Sequence, residues 1–123
     1  MSVKRVILVD DHDMVRQGLG LFLKILDDFE LVGEAHDGVE AVELCRTLSP
    51  DIVFMDLHMP QMDGVRATQI ICENHPQVRV IALTSSGEND EVVQAVIAAG
   101  AMVCLNKQAS VDELADVIYA AVR

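Results

Sequence analysis

A chain of 123 residues carrying 51% apolar side chains has the size and composition of one compact domain, not a disordered segment. Its longest apolar runs are only a few residues, far short of the roughly 20 that a membrane-spanning helix needs. A net charge of −11 disfavours direct nucleic-acid binding, because neutralising phosphates takes a basic surface.

The first predicted strand, Lys4–Asp10, ends in the acidic pair Asp10 and Asp11. After it comes a helical stripe of Val15, Leu19, Phe22 and Leu26, then a second strand over Glu30–Ala35. Ala41, Leu44, Cys45 and Leu48 share one face of the next helix, and Asp37 with Glu40 has the spacing of a capping box. Pro50 stops that helix, and a third strand, Asp51–Asp56, ends on another acid. A third helix is predicted from Gly64 to His75, with Pro76 ending it, before a strand over Val78–Thr84. Val92, Val93, Val96 and Ile97 mark the fourth helix, closed by Gly100. The last strand is Met102–Asn106, followed by Lys107. The last helix opens on the box Ser110/Glu113 and carries Val111, Leu114, Ala115, Ile118 and Val122 on one stripe.

Five strands alternating with five helices give an α/β fold: a doubly wound parallel sheet. Right-handed crossovers favour the flavodoxin-like order 2-1-3-4-5. Its switch point falls between the first and third strands, where ligands collect beyond the strand ends. Those strands end in Asp10, Asp11 and Asp56. Fold pattern and chemistry meet in one crevice.

Carboxylates so close repel, by about 4 kcal/mol for a pair 4 Å apart at an effective dielectric near 20. A cation relieves this, and an all-oxygen donor set favours Mg²⁺. Asp11 and Asp56 are expected to ligate it directly, Asp10 through water, and His58 through its backbone carbonyl. A carboxylate beside such a cation can attack an activated phosphoryl group. Lys107 would then hold one phosphoryl oxygen and the Thr84 hydroxyl another, with Ser85 and Ser86 as further donors.

Other side chains have plainer roles. His12 is expected to cap a helix or face solvent, and the His58 ring to be exposed. Pro60 fixes the loop after Asp56, and Gly64 opens a helix or permits a tight turn. Met55 and Met59 are read as packing. Cys45, Cys72 and Cys104 lack metal-type spacing and are read as reduced, mostly buried small hydrophobes.

The segments ILVDDH, DIVFMDLHMPQMDG, VIALT and AGA–LNK, together spanning nearly the whole chain, resemble response-regulator receiver domains of two-component signalling. The stretch around DDHDMVRQGL and that leading through Lys107 to Ser110 are most similar to the NarL/LuxR-type subgroup. The resemblance implies that Asp56 accepts a phosphoryl group from a histidine kinase or phosphotransfer protein. It implies that Asp10 and Asp11 organise Mg²⁺, that Thr84 is the switch hydroxyl, and that Lys107 senses phosphate. It further implies a receiver domain over residues 1–123 and phosphorylation-dependent homodimerisation. DNA would be reached only through a C-terminal helix-turn-helix effector outside this chain. With no export leader at its start, the chain is expected in the cytoplasm. Two positions depart from the family: Cys104 replaces the usual switch aromatic, and Gln108 replaces the proline often found after the lysine.

Rival readings are a stand-alone receiver, a degenerate binding module, a flavin or nucleotide module and a Mg²⁺-dependent phosphatase with an aspartate nucleophile. The phosphatase would carry a second acid two residues after the nucleophile, where this chain has His58. The nucleotide module would carry a Gly-rich loop where this chain has DDHD.

Overall fold

A computed structural model describes residues 2–85 and 90–123. The chain alternates β1 (Lys4–Val9), α1 (Asp13–Ile25), β2 (Phe29–Ala35), α2 (Gly38–Leu48), β3 (Ile52–Asp56), α3 (Gly64–Asn74), β4 (Arg79–Thr84), α4 (Asp90–Ala99), β5 (Val103–Asn106) and α5 (Val111–Ala121). All pairings are parallel and the strand order is β2-β1-β3-β4-β5, as the sequence pattern predicts. Strand ends move by one residue from prediction, which leaves Asp10 just beyond β1.

Period-two alternation sorts the central strands into two cores. Ile7, Val9, Val53, Met55, Val80 and Ala82 face Ala41, Cys45, Ala67, Ile71 and Val96 of α2, α3 and α4. Val6, Leu8, Ile52, Phe54, Ile81 and Leu83 face Phe22, Leu23, Ile118 and Ala121 of α1 and α5. Because both faces are covered, β3 and most of β1 and β4 are continuous buried runs. The sheet is the middle of three layers.

Local chemistry fixes where the helices begin. The Asp37 carboxylate accepts from the Glu40 amide at 2.8 Å, and Asp63 accepts from the Arg66 amide at 2.9 Å. Ser110 and Glu113 form the reciprocal box, as expected. Asp37 and Glu40 do not complete theirs: Glu40 Oε1 lies 3.2 Å from His36 Nδ1 instead. Gly100, at φ +122°, ends α4 in a conformation that suits glycine.

Two predicted stripe members turn outward. Ile97 is 43% exposed and Val111 is 59% exposed. Val111 sits in the first turn of α5, ahead of the point where the helix meets the sheet, and the packed stripe starts at Leu114. None of Cys45, Cys72 and Cys104 is in a disulfide among the described residues; Cys45 is buried, whereas Cys72 and Cys104 are half-buried. Burial, with a smaller contribution from nearby Cys72, pushes the Cys45 thiol up to about 12, which keeps it protonated and unreactive. Among the described residues, no helix is long and apolar enough to cross a membrane.

Candidate functional site

The carboxyl edge of the sheet gathers the predicted residues. Asp10 follows β1, Asp56 ends β3, Thr84 ends β4 and Lys107 follows β5. Neighbouring strands in register place these ends side by side: Val9 pairs with Met55, Asp56 with Leu83, and Thr84 with Asn106. Asp10 is 1% exposed and Asp56 is 2% exposed, whereas Asp11 reaches the surface. Single ligand atoms from Asp10, Asp11, His12 and Asp56 all lie within 4.8 Å of one another.

Lys107 closes the group from the β5 side. Its ammonium lies 3.0 Å from Asp56 Oδ1 and 2.9 Å from Asp10 Oδ2, the latter an ion-pair contact without hydrogen-bond alignment. The Lys107 amide donates to the Thr84 carbonyl at 2.7 Å, which ties the lysine to the end of β4. The His58 amide donates weakly to Asp56 Oδ1, at 3.4 Å. Asp56 Oδ2 is buried and has no hydrogen-bond partner among the described residues.

The electrostatics of the two buried acids diverge. Burial opposes the charge on Asp10, but Lys107 and the amide and ring of His12 outweigh it, so its carboxyl is held below the usual range. Burial also opposes the charge on Asp56; Lys107 counters this, Asp10 adds repulsion, and the net shift is upward. Lys107 is itself partly desolvated, yet two carboxylates raise its pKa above the ordinary lysine value. Among the described residues, the Lys107 ammonium faces the carboxylates of both Asp10 and Asp56, with the Asp11 carboxylate a third negative charge beside them.

That charge deficit bears on magnesium. A buried carboxylate oxygen with no hydrogen-bond partner among the described residues, beside two further carboxylates, is the oxygen-rich, negatively charged setting that a small divalent cation favours. The residues fit such an ion.

Other expectations meet a more particular geometry. Thr84 is 7% exposed, and its hydroxyl donates to the Leu105 carbonyl at 3.4 Å, a long bond that a better acceptor would displace. Ser85 is exposed at the start of the following loop, and Ser86 lies outside the described residues. Cys104 packs half-buried against the α2–α3–α4 core. After Lys107, the Gln108 amide donates to Asn106 Oδ1 at 2.8 Å, closing the turn without proline. His58 is exposed, as expected.

His12 is exposed as expected, but its side chain makes no helix cap. Its Nδ1 lies 3.0 Å from Asp10 Oδ1 and 3.1 Å from Asp11 Oδ1, and its amide donates to Asp10 Oδ1 at 2.9 Å.

One contributor escapes the sequence reading. Arg16 is buried and donates to the Asp10 carbonyl. A signal existed: Arg16 stands in line with Leu19, Leu23 and Leu26, so a charge on an apolar helix face needed a partner. Gly64 opens α3, as expected, and packs so tightly that a Cβ there would lie 2.0 Å from the Asp56 carbonyl oxygen. Its amide donates to the Leu57 carbonyl, folding the loop after β3 back against the strand end.

Five parallel strands in this order, with an acid cluster and a lysine across the first, third and fifth strand ends, are the fold and edge arrangement of a receiver-type domain. Residues 6–119 match the model of the response regulator receiver domain, and the chain belongs to that family. It is 49% identical over 117 residues to the transcriptional regulatory protein LiaR of Bacillus subtilis, covering 95% of this chain and 55% of that protein. It is 42% identical over 118 residues to the response regulator protein VraR of Staphylococcus aureus, covering 96% and 56%. The chain thus spans about half the length of these relatives. Among solved structures, a LuxR-family two-component response regulator from Aurantimonas sp. superposes with a TM-score of 0.88 at 34% identity, covering 97% of this chain and 84% of that one. The receiver domain of NarL from Mycobacterium tuberculosis superposes with a TM-score of 0.90 at 29% identity, covering 98% of both. The chain is a receiver domain of a two-component response regulator, similar to LuxR-type regulators.

Proposed function

We propose that Asp56 accepts a phosphoryl group from the phosphohistidine of a histidine kinase or phosphotransfer protein, in a reaction that needs Mg²⁺. The observation that carries this reading is Asp56 itself, a buried carboxylate at the end of β3 with one oxygen on Lys107 and the other without a hydrogen-bond partner among the described residues. The unpartnered Oδ2 is the nucleophile. It forms a bond to phosphorus as the phosphorus–nitrogen bond of the donor breaks, and the histidine nitrogen keeps the electron pair.

Asp11 and Asp56, with Asp10 behind them and the His58 carbonyl, are the groups that would hold the cation. When bound, Mg²⁺ would offset charge on the phosphoryl oxygens and on the attacking carboxylate. Lys107 already touches Asp56, so it needs only a small movement to reach a phosphoryl oxygen. The Thr84 hydroxyl would exchange its long bond to Leu105 for another phosphoryl oxygen, with Ser85 as a further donor. Both movements pull on the ends of β4 and β5. The surface of α4, β5 and α5 would shift with them and so bias dimerisation or an attached effector. Cys104 is too small to act as a rotating aromatic in that shift.

LiaR is named a transcriptional regulatory protein, and the matched region covers only 55% of it, which supports a helix-turn-helix effector acting on DNA in the whole protein. The reading places the protein in the cytoplasm, promoting only its own phosphorylation and slow dephosphorylation. Incubation with a small phosphodonor tests it. Wild type should take up one phosphoryl group per chain with Mg²⁺ and none with chelator, and Asp56→Asn should take up none. Sustained turnover of an aryl phosphate, or labelling that ignores the chelator, contradicts the reading.

A further inference from the structure

The acid pair after β1 is useful only if its backbone holds Asp11 toward Asp56, and the β1–α1 loop must do this while reaching into solvent. One strut is the Asp10 amide, which donates to the Ala35 carbonyl of β2 at 3.1 Å. A second is the His12 amide on Asp10 Oδ1. The third comes from α1. Arg16, 7% exposed, donates from Nη1 to the Asp10 carbonyl at 2.5 Å. Its Nε lies 3.1 Å from Glu34 Oε1 on β2, and its Nη2 pairs with Asp13.

The Asp10 carbonyl belongs to the peptide plane joining Asp10 to Asp11. Holding that oxygen fixes the plane, because the peptide unit is rigid, and the plane sets where the Asp11 Cα and side chain begin. A guanidinium is well suited to such a hold, being planar, permanently charged and equipped with donors in a fixed fork that can meet three acceptors together. A lysine ammonium in the same place would keep the charge and lose the fork. Arg16 touches neither Asp11 nor Asp56 in these contacts; it acts through the main chain.

We infer that Arg16 is a positioning residue for the divalent-cation site, fixing the Asp10–Asp11 peptide from α1 and β2 so that the Asp11 carboxylate is preset for the ion. The inference rests on the receiver reading above and deepens it by naming which residue sets its metal affinity. Loss of an outer-shell partner of a metal ligand typically weakens the metal about 10- to 100-fold.

Calorimetric titration with Mg²⁺ alone tests this, on wild type, Arg16→Lys and Glu34→Gln, with circular dichroism and melting of each variant recorded alongside. Arg16→Lys should bind Mg²⁺ about tenfold more weakly while retaining its helix content. Glu34→Gln, at a partly exposed position, should weaken binding about two- to fivefold through loss of one anchor of the fork. Wild-type affinity in Arg16→Lys, or a lowered melting temperature with affinity unchanged in both variants, would overturn the inference and leave Arg16 a purely structural ion pair. Absence of Mg²⁺ binding by wild type is a different result, and counts against the receiver reading itself.

Discussion

Lys107 is one cation shared by two buried acids, and its removal shows what it offsets. Breaking a buried charge group by deleting one partner costs about 3–5 kcal/mol. Lys107→Met should therefore lose about 3 kcal/mol in urea unfolding at pH 7 without divalent cation, and added Mg²⁺ should restore part of the loss. An unchanged urea midpoint would show that the contacts at 2.9 and 3.0 Å carry no net stability. Asp56 behaves oppositely. Its folded pKa lies above the ordinary 3.8, so the fold favours its protonated form. Its contribution is fully present below pH 3.8 and is lost as pH rises through the folded value. Asp56→Asn should accordingly be more stable than wild type at pH 7 in metal-free buffer, and the advantage should vanish toward pH 3.8. Asp10 titrates the other way: its contribution is present above 3.8 and is lost as pH falls through its lowered folded value. Paired pH–stability curves for wild type, Asp56→Asn and Asp10→Asn check both signs.

Strands and helices were legible because each carries its period and its punctuation. Asp10, Asp56, Thr84 and Lys107 were legible as a group, since each terminates an apolar run that a parallel sheet brings to one edge. Contacts between main chain and side chain were not. Nothing in Arg16 as a letter says that it reaches the Asp10 carbonyl, and nothing around Gly38 says that a Cβ there would lie 2.3 Å from the Met62 carbonyl oxygen. The exposure of Ile97 and Val111 escaped for a related reason: periodicity gives the face of a helix, whereas covering that face depends on where the helix starts and stops over the sheet. Gly64 yields a prediction at this scale. Its Cβ position lies 2.0 Å from the Asp56 carbonyl oxygen and 2.7 Å from the Leu57 Cα, both backbone atoms that cannot swing away. Gly64→Ala should cost about 3 kcal/mol through overpacking and should impair labelling of Asp56, because the strand end itself must shift. A stability loss with undisturbed labelling would separate the turn from the site.

For the whole molecule, twenty acidic residues against nine Lys and Arg leave a strongly negative body, part of it focused at one sheet edge. A ligand that binds only the folded state stabilises it by mass action, about 2.7 kcal/mol at a hundredfold excess over Kd. Mg²⁺ should therefore raise the melting temperature by several degrees beyond an ionic-strength-matched sodium control, and Asp11→Asn should remove most of that rise. Equal shifts with both salts would mean general screening. The most direct measurement is chemical mapping of the phosphorylated residue. After reaction with a small phosphodonor and Mg²⁺, reductive trapping of the acyl phosphate and peptide mass spectrometry should locate the modification on Asp56 alone. Modification on another residue, or undiminished labelling in Asp56→Asn, would contradict the account.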